Sequence, residues 1–85
     1  MPMYFFDVLE RDGKITHDVI GVELPSLRQA LDAASRTLMD SLQENVMQHS
    51  DFTVQVIVRD ELGHELGRRD GAISRSDKKD RDRPF

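Results

Sequence analysis

The sequence predicts a two-layer α+β domain in which one long amphipathic helix packs on an antiparallel sheet, in the order β-β-α-β-β. Apolar residues recur at helical spacing in one central stretch, and they alternate with period two in the stretches on either side. Short turn sequences join the strand-like stretches in pairs. Consecutive strands joined by short turns pair antiparallel, so the helix is expected to cross one face of the resulting sheet.

The first strand is predicted over residues 3–9, which are rich in aromatic and apolar side chains. With period two, Tyr4, Phe6 and Val8 share one face, while Phe5, Asp7 and Leu9 share the other. A carboxylate is favoured on the wetter face of a sheet. We therefore assign the set that lacks Asp7 to the side of the sheet that the helix covers.

A hairpin follows the first strand, because Asp12-Gly13 is a strong turn signal between two strand-like stretches. The return strand is predicted to begin near Ile15. Gly21 then marks a bulge or bend before the chain enters the helix.

The helix is predicted within the stretch from Leu24 to Val46. Ser26 is a favourable N-cap residue, and Gln29 stands three positions later, as in a capping box. Seven apolar side chains at three- and four-residue spacing form the face expected to cover the sheet: Leu27, Ala30, Leu31, Ala34, Leu38, Leu42 and Val46.

The second half of the sheet begins with the most regular strand pattern in the chain, in which Phe52, Val54, Val56 and Val58 alternate with other residues. After a turn at residues 60–63, residues 64–68 are predicted to form only a short closing strand. The glycines at 63, 67 and 71 indicate a flexible segment rich in turns.

The domain is predicted to span residues 1–73, and residues 74–85 are predicted to form a disordered tail. Almost every side chain in the tail is charged or carries a hydroxyl group. Such a segment buries too little apolar surface to offset the entropy lost on ordering.

The composition argues against a disulfide-stabilised protein, a membrane-spanning protein and a secreted protein. The chain has 85 residues and no cysteine, so one small core, or a partner, must supply the stability that disulfides or a thiolate metal site would otherwise add. No apolar stretch approaches the roughly 18 residues of a membrane span, and the N-terminus lacks the pattern of a secretory signal. We therefore expect a cytoplasmic protein without membrane contact.

The net charge of −4 is unevenly distributed. Residues 1–67 carry five basic and twelve acidic side chains, or −7, whereas residues 68–85 carry seven basic and four acidic side chains, or +3. Nucleic-acid binding requires clustered Lys and Arg. Contact with nucleic acid is therefore expected only weakly, through the tail.

Three stretches carry a resemblance to a known family: the aromatic opening Tyr4-Phe5-Phe6-Asp7-Val8, Asp18 with the helix entry Gly21-Val22-Glu23-Leu24-Pro25, and the strand at residues 56–63. Across residues 2–67 the chain resembles a family of small alphaproteobacterial proteins classed as a domain of unknown function. The resemblance implies no activity and transfers no catalytic residue. Members continue with a longer apolar strand after Gly63, and this chain departs from them there, where residues 67–71 interrupt the pattern.

Candidate catalytic and metal-binding residues are few. None of the three histidines, His17, His49 and His64, has a second histidine two or four positions away that would place two imidazole ligands on one element. We predict no enzyme activity, no catalytic residue, no metal, no cofactor and no small-molecule ligand. Asp7 leaves two alternatives open: a structural role, such as binding turn N–H groups or Arg59 across the sheet, or a role in recognition.

The face of the sheet opposite the helix is the predicted interaction surface. Phe5, Leu9 and Ile57 are expected to lie on it and to form an apolar patch that favours association. The leading hypothesis is a non-enzymatic interaction or regulatory module that forms a homodimer, or docks a protein partner, through this face or a sheet edge.

The alternative hypothesis is an antitoxin-like regulator that binds a small toxic enzyme and contacts nucleic acid through its tail. It rests on a similarity of shape to HicB-type antitoxins, in which a hairpin also precedes a capped helix rich in alanine.

Overall fold

The computed structural model describes residues 1–48 and 51–74. It confirms the predicted α+β class and the single helix packed on an antiparallel sheet. The elements in chain order are β1 (Met3–Glu10), β2 (Ile15–Thr16), β3 (Val22–Glu23), α1 (Leu27–Asn45), β4 (Asp51–Arg59) and β5 (Glu65–Ser74).

The sheet has the strand order β2-β1-β4-β5, with β3 paired to the other end of β1. All of these pairings are antiparallel. The predicted return strand is therefore present as two pieces of two residues each, β2 and β3, which share one edge of β1. The intervening loop, residues 17–21, includes Gly21, where the sequence predicted a bend, and this glycine has φ +76.

The helix begins as the sequence predicted. The hydroxyl of Ser26 accepts a hydrogen bond from the N–H of Gln29 at 3.4 Å. The centre of the predicted apolar face is buried, at Ala30, Ala34 and Leu38. The two ends of that face, Leu27 and Val46, are 37% and 40% exposed, because they extend past the part of the helix that the sheet covers.

The core lies between α1 and the strands β1, β4 and β5. Strand β4 lies in the interior of the sheet and has Val54, Val56 and Val58 fully buried. On β1, Tyr4 is buried, and Phe6 and Val8 pack against the core. The assignment of these three β1 residues to the helix side therefore agrees with the structure.

The predicted closing strand is present, but its predicted length was wrong. Strand β5 has ten residues and runs through Gly67 and Gly71, where the sequence predicted a flexible, turn-rich segment. Both glycines face the helix: a Cβ atom at position 67 would lie 2.8 Å from Cδ2 of Leu31, and one at position 71 would lie 3.0 Å from Cδ1 of Leu42. The missing side chains let the helix approach β5 closely, which is a recognised use of glycine within a strand.

The predicted tail, residues 74–85, lies outside the described residues except for Ser74. That residue is the last of β5.

Candidate functional site

The face of the sheet opposite α1 is the candidate site, and we call it the open face. Its members follow from the strand register, because residues directly opposite one another on paired strands lie on the same face. Phe5 lies opposite Arg59, Asp7 opposite Ile57, and Leu9 opposite Gln55. On the next strand, β5, Arg68 lies opposite Ile57, Asp70 opposite Gln55, and Ala72 opposite Thr53. The three predicted interface residues and Asp7 are therefore brought together on one face.

Asp7 forms the centre of a hydrogen-bonded cluster on this face. Its side chain is only 11% exposed. Oδ2 accepts a hydrogen bond from Nε of Arg59 at 2.8 Å and lies 3.4 Å from Nδ1 of His17, while Oδ1 accepts from the N–H of Asp18 at 3.1 Å. These are the structural contacts that the sequence left open as one alternative for Asp7, namely a loop N–H and Arg59 across the sheet. Both carboxylate oxygens are engaged within the chain.

Arg59 joins the sheet to the loop of residues 17–21. Its Nη2 donates to the carbonyl oxygen of Asp18 at 2.7 Å, and its guanidinium carbon lies 4.8 Å from the centre of the Phe5 ring. Gly21 packs on Phe5, since a Cβ atom there would lie 2.7 Å from Cε2 of the ring. Phe5 is consequently held between an arginine and the loop, and this part of the open face is partly covered.

Asp18 takes the place of a strand partner, which the sequence did not predict. Its Oδ2 accepts a hydrogen bond from the N–H of Phe6 at 3.2 Å, in the gap between the sites where β2 and β3 pair with β1. Its Oδ1 accepts from the N–H groups of Ile20 and Gly21 at 3.0 and 3.1 Å. A signal was present in the sequence, because an aspartate two and three residues before such N–H groups favours an Asx turn.

The hydrogen bonds lower the pKa values of both carboxyl groups. Burial by itself would raise the pKa of Asp7, but the Arg59 side chain, the Asp18 N–H and the His17 ring hold the pKa below its ordinary value of 3.8. Burial would likewise raise the pKa of Asp18, but the hydrogen bonds that it accepts from the N–H groups of Gly21, Ile20 and Phe6 outweigh that effect and lower the pKa. Both groups are therefore ionised at neutral pH, as hydrogen-bonded carboxylates are.

The remaining predicted residues form a mixed surface. Leu9 and Ile57 are half-buried on the open face, and Leu9 lies opposite Ile15 of β2, which is 52% exposed and extends the apolar area to the end of the sheet. Charged side chains lie among these apolar ones. Arg68, opposite Ile57, is paired with Glu65 by two hydrogen bonds of 2.7 and 2.8 Å.

A groove of about 690 Å³ lies at the hairpin end of the sheet. Side chains and backbone of β1, β4 and β5 line it, among them Leu9, Gln55, Asp70 and Ala72. Because these residues come from three neighbouring strands, the groove crosses the open face as far as the outer strand β5.

The histidines are not arranged as metal ligands in the part of the chain that the structure describes. His17 lies beside Asp7, and His64 lies 3.3 Å from Asp60 across the β4–β5 turn. His49 lies outside the described residues. Within residues 1–48 and 51–74, no group of three or more His, Cys, Asp or Glu side chains is placed to hold a metal ion.

The outer edge of β5 completes the list of available surfaces. Each end of β1 has a short partner strand, and β4 is paired on both sides, whereas β5 pairs only with β4 among the described strands. No helix in this same part of the chain is long and apolar enough to cross a membrane.

These features define a small α+β domain whose helix covers one face of its sheet. Among residues 1–48 and 51–74, only the loop of residues 17–21 and Arg59 cover part of the other face, at Phe5, and no strand pairs with the outer edge of β5. A family described as a domain of unknown function, DUF6894, matches residues 3–69. The match covers most of the chain, and the chain belongs to this family, which confirms the resemblance to a domain of unknown function. No curated protein and no solved structure matches the chain.

Proposed function

We propose that this protein is a non-enzymatic protein-interaction module that self-associates through its sheet. The observation that carries the proposal is the one-sided covering of the sheet. Helix α1 packs only on the face that holds Val54, Val56 and Val58, and the ten-residue strand β5 forms an outer edge. Exposed edges and uncovered sheet faces are the surfaces at which proteins add a further chain.

The composition of the open face supports an interface with protein. Half-buried Phe5, Leu9 and Ile57 lie among charged side chains that already have partners in the same chain. Protein interfaces have this mixture of apolar and paired polar groups. Asp7 is unsuited to act as a free base in this arrangement, because both of its oxygens accept hydrogen bonds from neighbouring groups.

The contacts of Asp7 and Arg59 also support a preformed surface. They join β1, β4 and the loop of residues 17–21 by hydrogen bonds of 2.7 to 3.1 Å. A surface held in one conformation loses less entropy when it binds. The open face is thus prepared for contact before a partner arrives.

The test is the absolute mass of the full chain in solution, measured by light scattering after size exclusion at several concentrations. The proposal expects a mass of twice the 9.8 kDa chain, with dissociation only on dilution. A mass of 9.8 kDa at every concentration up to the millimolar range would overturn self-association.

A further inference from the structure

We propose that a second copy of this chain pairs antiparallel with β5 about a two-fold axis at Arg69, so that two sheets become one. This inference rests on the proposed self-association and names its contact surface and register. It assigns the dimer to the edge of the sheet, and it leaves the open faces of both copies side by side on one surface.

The edge of β5 is suited to this contact by its length and its unpaired backbone. Half of the N–H and C=O groups in an outer strand point away from the sheet and lack a strand partner. The opposite edge differs, because β2, β3 and the Asp18 carboxylate together cover β1. Among the described strands, β5 is thus the longest stretch of edge that remains available.

Symmetry restricts the register. In an antiparallel pair related by a two-fold axis, residues of the same face lie opposite one another, since side chains alternate with period two. Both helices then lie on the same side of the joined sheet. The axis must pass through a single residue position of β5, which leaves only a few registers to compare.

Charge complementarity selects one of these registers. With the axis at position 69, Arg68 lies opposite the second copy's Asp70, and Asp70 opposite the second copy's Arg68. Four charges of alternating sign then surround the axis on the open face. An axis at position 68 or 70 would place one pair of like charges opposite each other without forming any opposite-charge pair, which destabilises a sheet. The axis at position 69 also places the two Arg69 residues opposite each other, on the helix side, but it adds two opposite-charge pairs on the open face. An axis at Gly71 would place these charges opposite Ser74 and Ala72.

The side chains in the monomer fit this register. Asp70 makes no ion pair of 4.0 Å or less among the described residues, although its charge acts on the neighbouring Arg68 of the same chain. Arg68 is already oriented by Glu65. Arg69 lies on the helix side, where its Nε donates to the Ser35 hydroxyl of its own helix at 3.2 Å. Its Nη1 donates to the carbonyl oxygen of Arg68 at 3.1 Å, so each of the two opposed Arg69 guanidinium groups is bound within its own chain. The irregularity in the β4–β5 register falls between the pairs of Gly67 and Glu65, before the proposed centre.

The position of the helix supports the same arrangement. Helix α1 packs on both β4 and β5, and neighbouring strands lie about 4.8 Å apart. Two helices on the same side of the joined sheet would therefore lie about 10 Å apart, which is a usual distance for packed helices. Met39 is 54% exposed and stands one turn after Ser35, on the flank toward β5. The second helix would cover it.

The experiment uses two variants of the full chain with opposite charge changes. Asp70→Arg places arginines opposite each other in its homodimer, and Arg68→Asp places aspartates opposite each other. Each change is expected to weaken the dimer about tenfold to a hundredfold, because two cross-strand charge pairs change from attraction to repulsion. An equimolar mixture of the two variants restores complementary pairs and is expected to form a heterodimer, as measured by light scattering.

The controls separate this inference from the proposed function. Circular dichroism of each variant checks that the helix and sheet are retained. Leu9→Lys changes the open face two strands away from the edge, and it distinguishes a contact through the open face, which it would dissociate, from a contact through the edge. If the wild type is a dimer and Leu9→Lys dissociates it, the edge contact is wrong but self-association stands. The same conclusion follows if Asp70→Arg leaves the dimer intact. Failure of the mixed variants to pair would overturn the register, and a monomeric wild type would overturn both proposals.

Discussion

Arg59 and Asp7 are joined across the open face by a hydrogen bond of 2.8 Å between Nε and Oδ2. The two residues lie on neighbouring strands at diagonal positions, because Asp7 lies opposite Ile57 and Arg59 opposite Phe5. The Asp7 side chain is 11% exposed and the Arg59 side chain 22%. Removing one member leaves the other charge poorly hydrated, so the loss of either side chain is expected to lower the free energy of unfolding.

Asp7→Asn is therefore expected to lower the free energy of unfolding by about 2–3 kcal/mol, since the amide keeps the size of the side chain but loses its charge. Urea denaturation at pH 7 measures the change. Asp32→Asn, at an exposed helix position, is the matched control and is expected to stay within about 0.5 kcal/mol of the wild type. Equal effects of the two changes would contradict a special role for the Asp7–Arg59 pair.

The stability of the protein should fall in acid because of the same cluster. The pKa values of Asp7 and Asp18 are lowered in the folded chain from 3.8. A lowered carboxyl pKa stabilises the fold above the unfolded value, and that contribution is lost as the pH falls below 3.8 through the folded value. Denaturation from pH 6 to pH 2 measures the slope. The Asp7→Asn variant is expected to show a smaller decrease, and an unchanged slope would contradict the assignment.

Gly21 and Gly13 provide a matched pair for the contact with Phe5. Both have positive φ, +76 and +89, but only Gly21 has atoms near the position of an added Cβ, at 2.7 Å in the Phe5 ring. Gly13→Ala is expected to lower the free energy of unfolding by about 1 kcal/mol from backbone strain alone. Gly21→Ala is expected to cost about 1–3 kcal/mol more, because the ring must move. Thermal or urea unfolding compares the two, and equal losses would contradict close packing of the loop on Phe5.

Gly71 tests the close approach of the helix to β5. Gly71→Val is expected to lower the free energy of unfolding by about 1–3 kcal/mol, because the side chain would press against Leu38 and Leu42. Ala72→Val changes the next residue of the same strand, on the opposite and exposed face, and is expected to change it by less than about 0.5 kcal/mol. If both valines are tolerated alike in urea, the helix does not pack on β5 at this position.

Much of the fold was accessible from local patterns. The capped helix and the faces of β1 follow from spacing within one element, and the structure bears them out. The ten-residue strand β5 was missed because Gly67 and Gly71 have weak strand propensity. The close contacts of these glycines with Leu31 and Leu42 supply the reason for glycine at each position, and such contacts are invisible to a propensity argument.

The sequence predicted some contacts of the candidate site and missed others. The sequence placed Phe5, Leu9 and Ile57 on one face with Asp7, and it named Arg59 as one possible partner of Asp7. It did not indicate that Asp18 would complete the edge of β1 by accepting the N–H of Phe6. That contact depends on where β2 ends and β3 begins, which the pattern of residues 15–24 left open.

The sequence by itself determined the order of helix and strands, the turns after β1 and β4, the helix cap and the separation of a covered face from an open one. These properties depend on residues a few positions apart, whose periodicity and turn chemistry act locally. Only the tertiary structure decided which carboxylates are paired, which glycines a strand accepts and which edge remains available. Asp7 and Arg59 are 52 positions apart, and such contacts are fixed by the packing of the whole domain, because distant residues meet only after the strands have aligned.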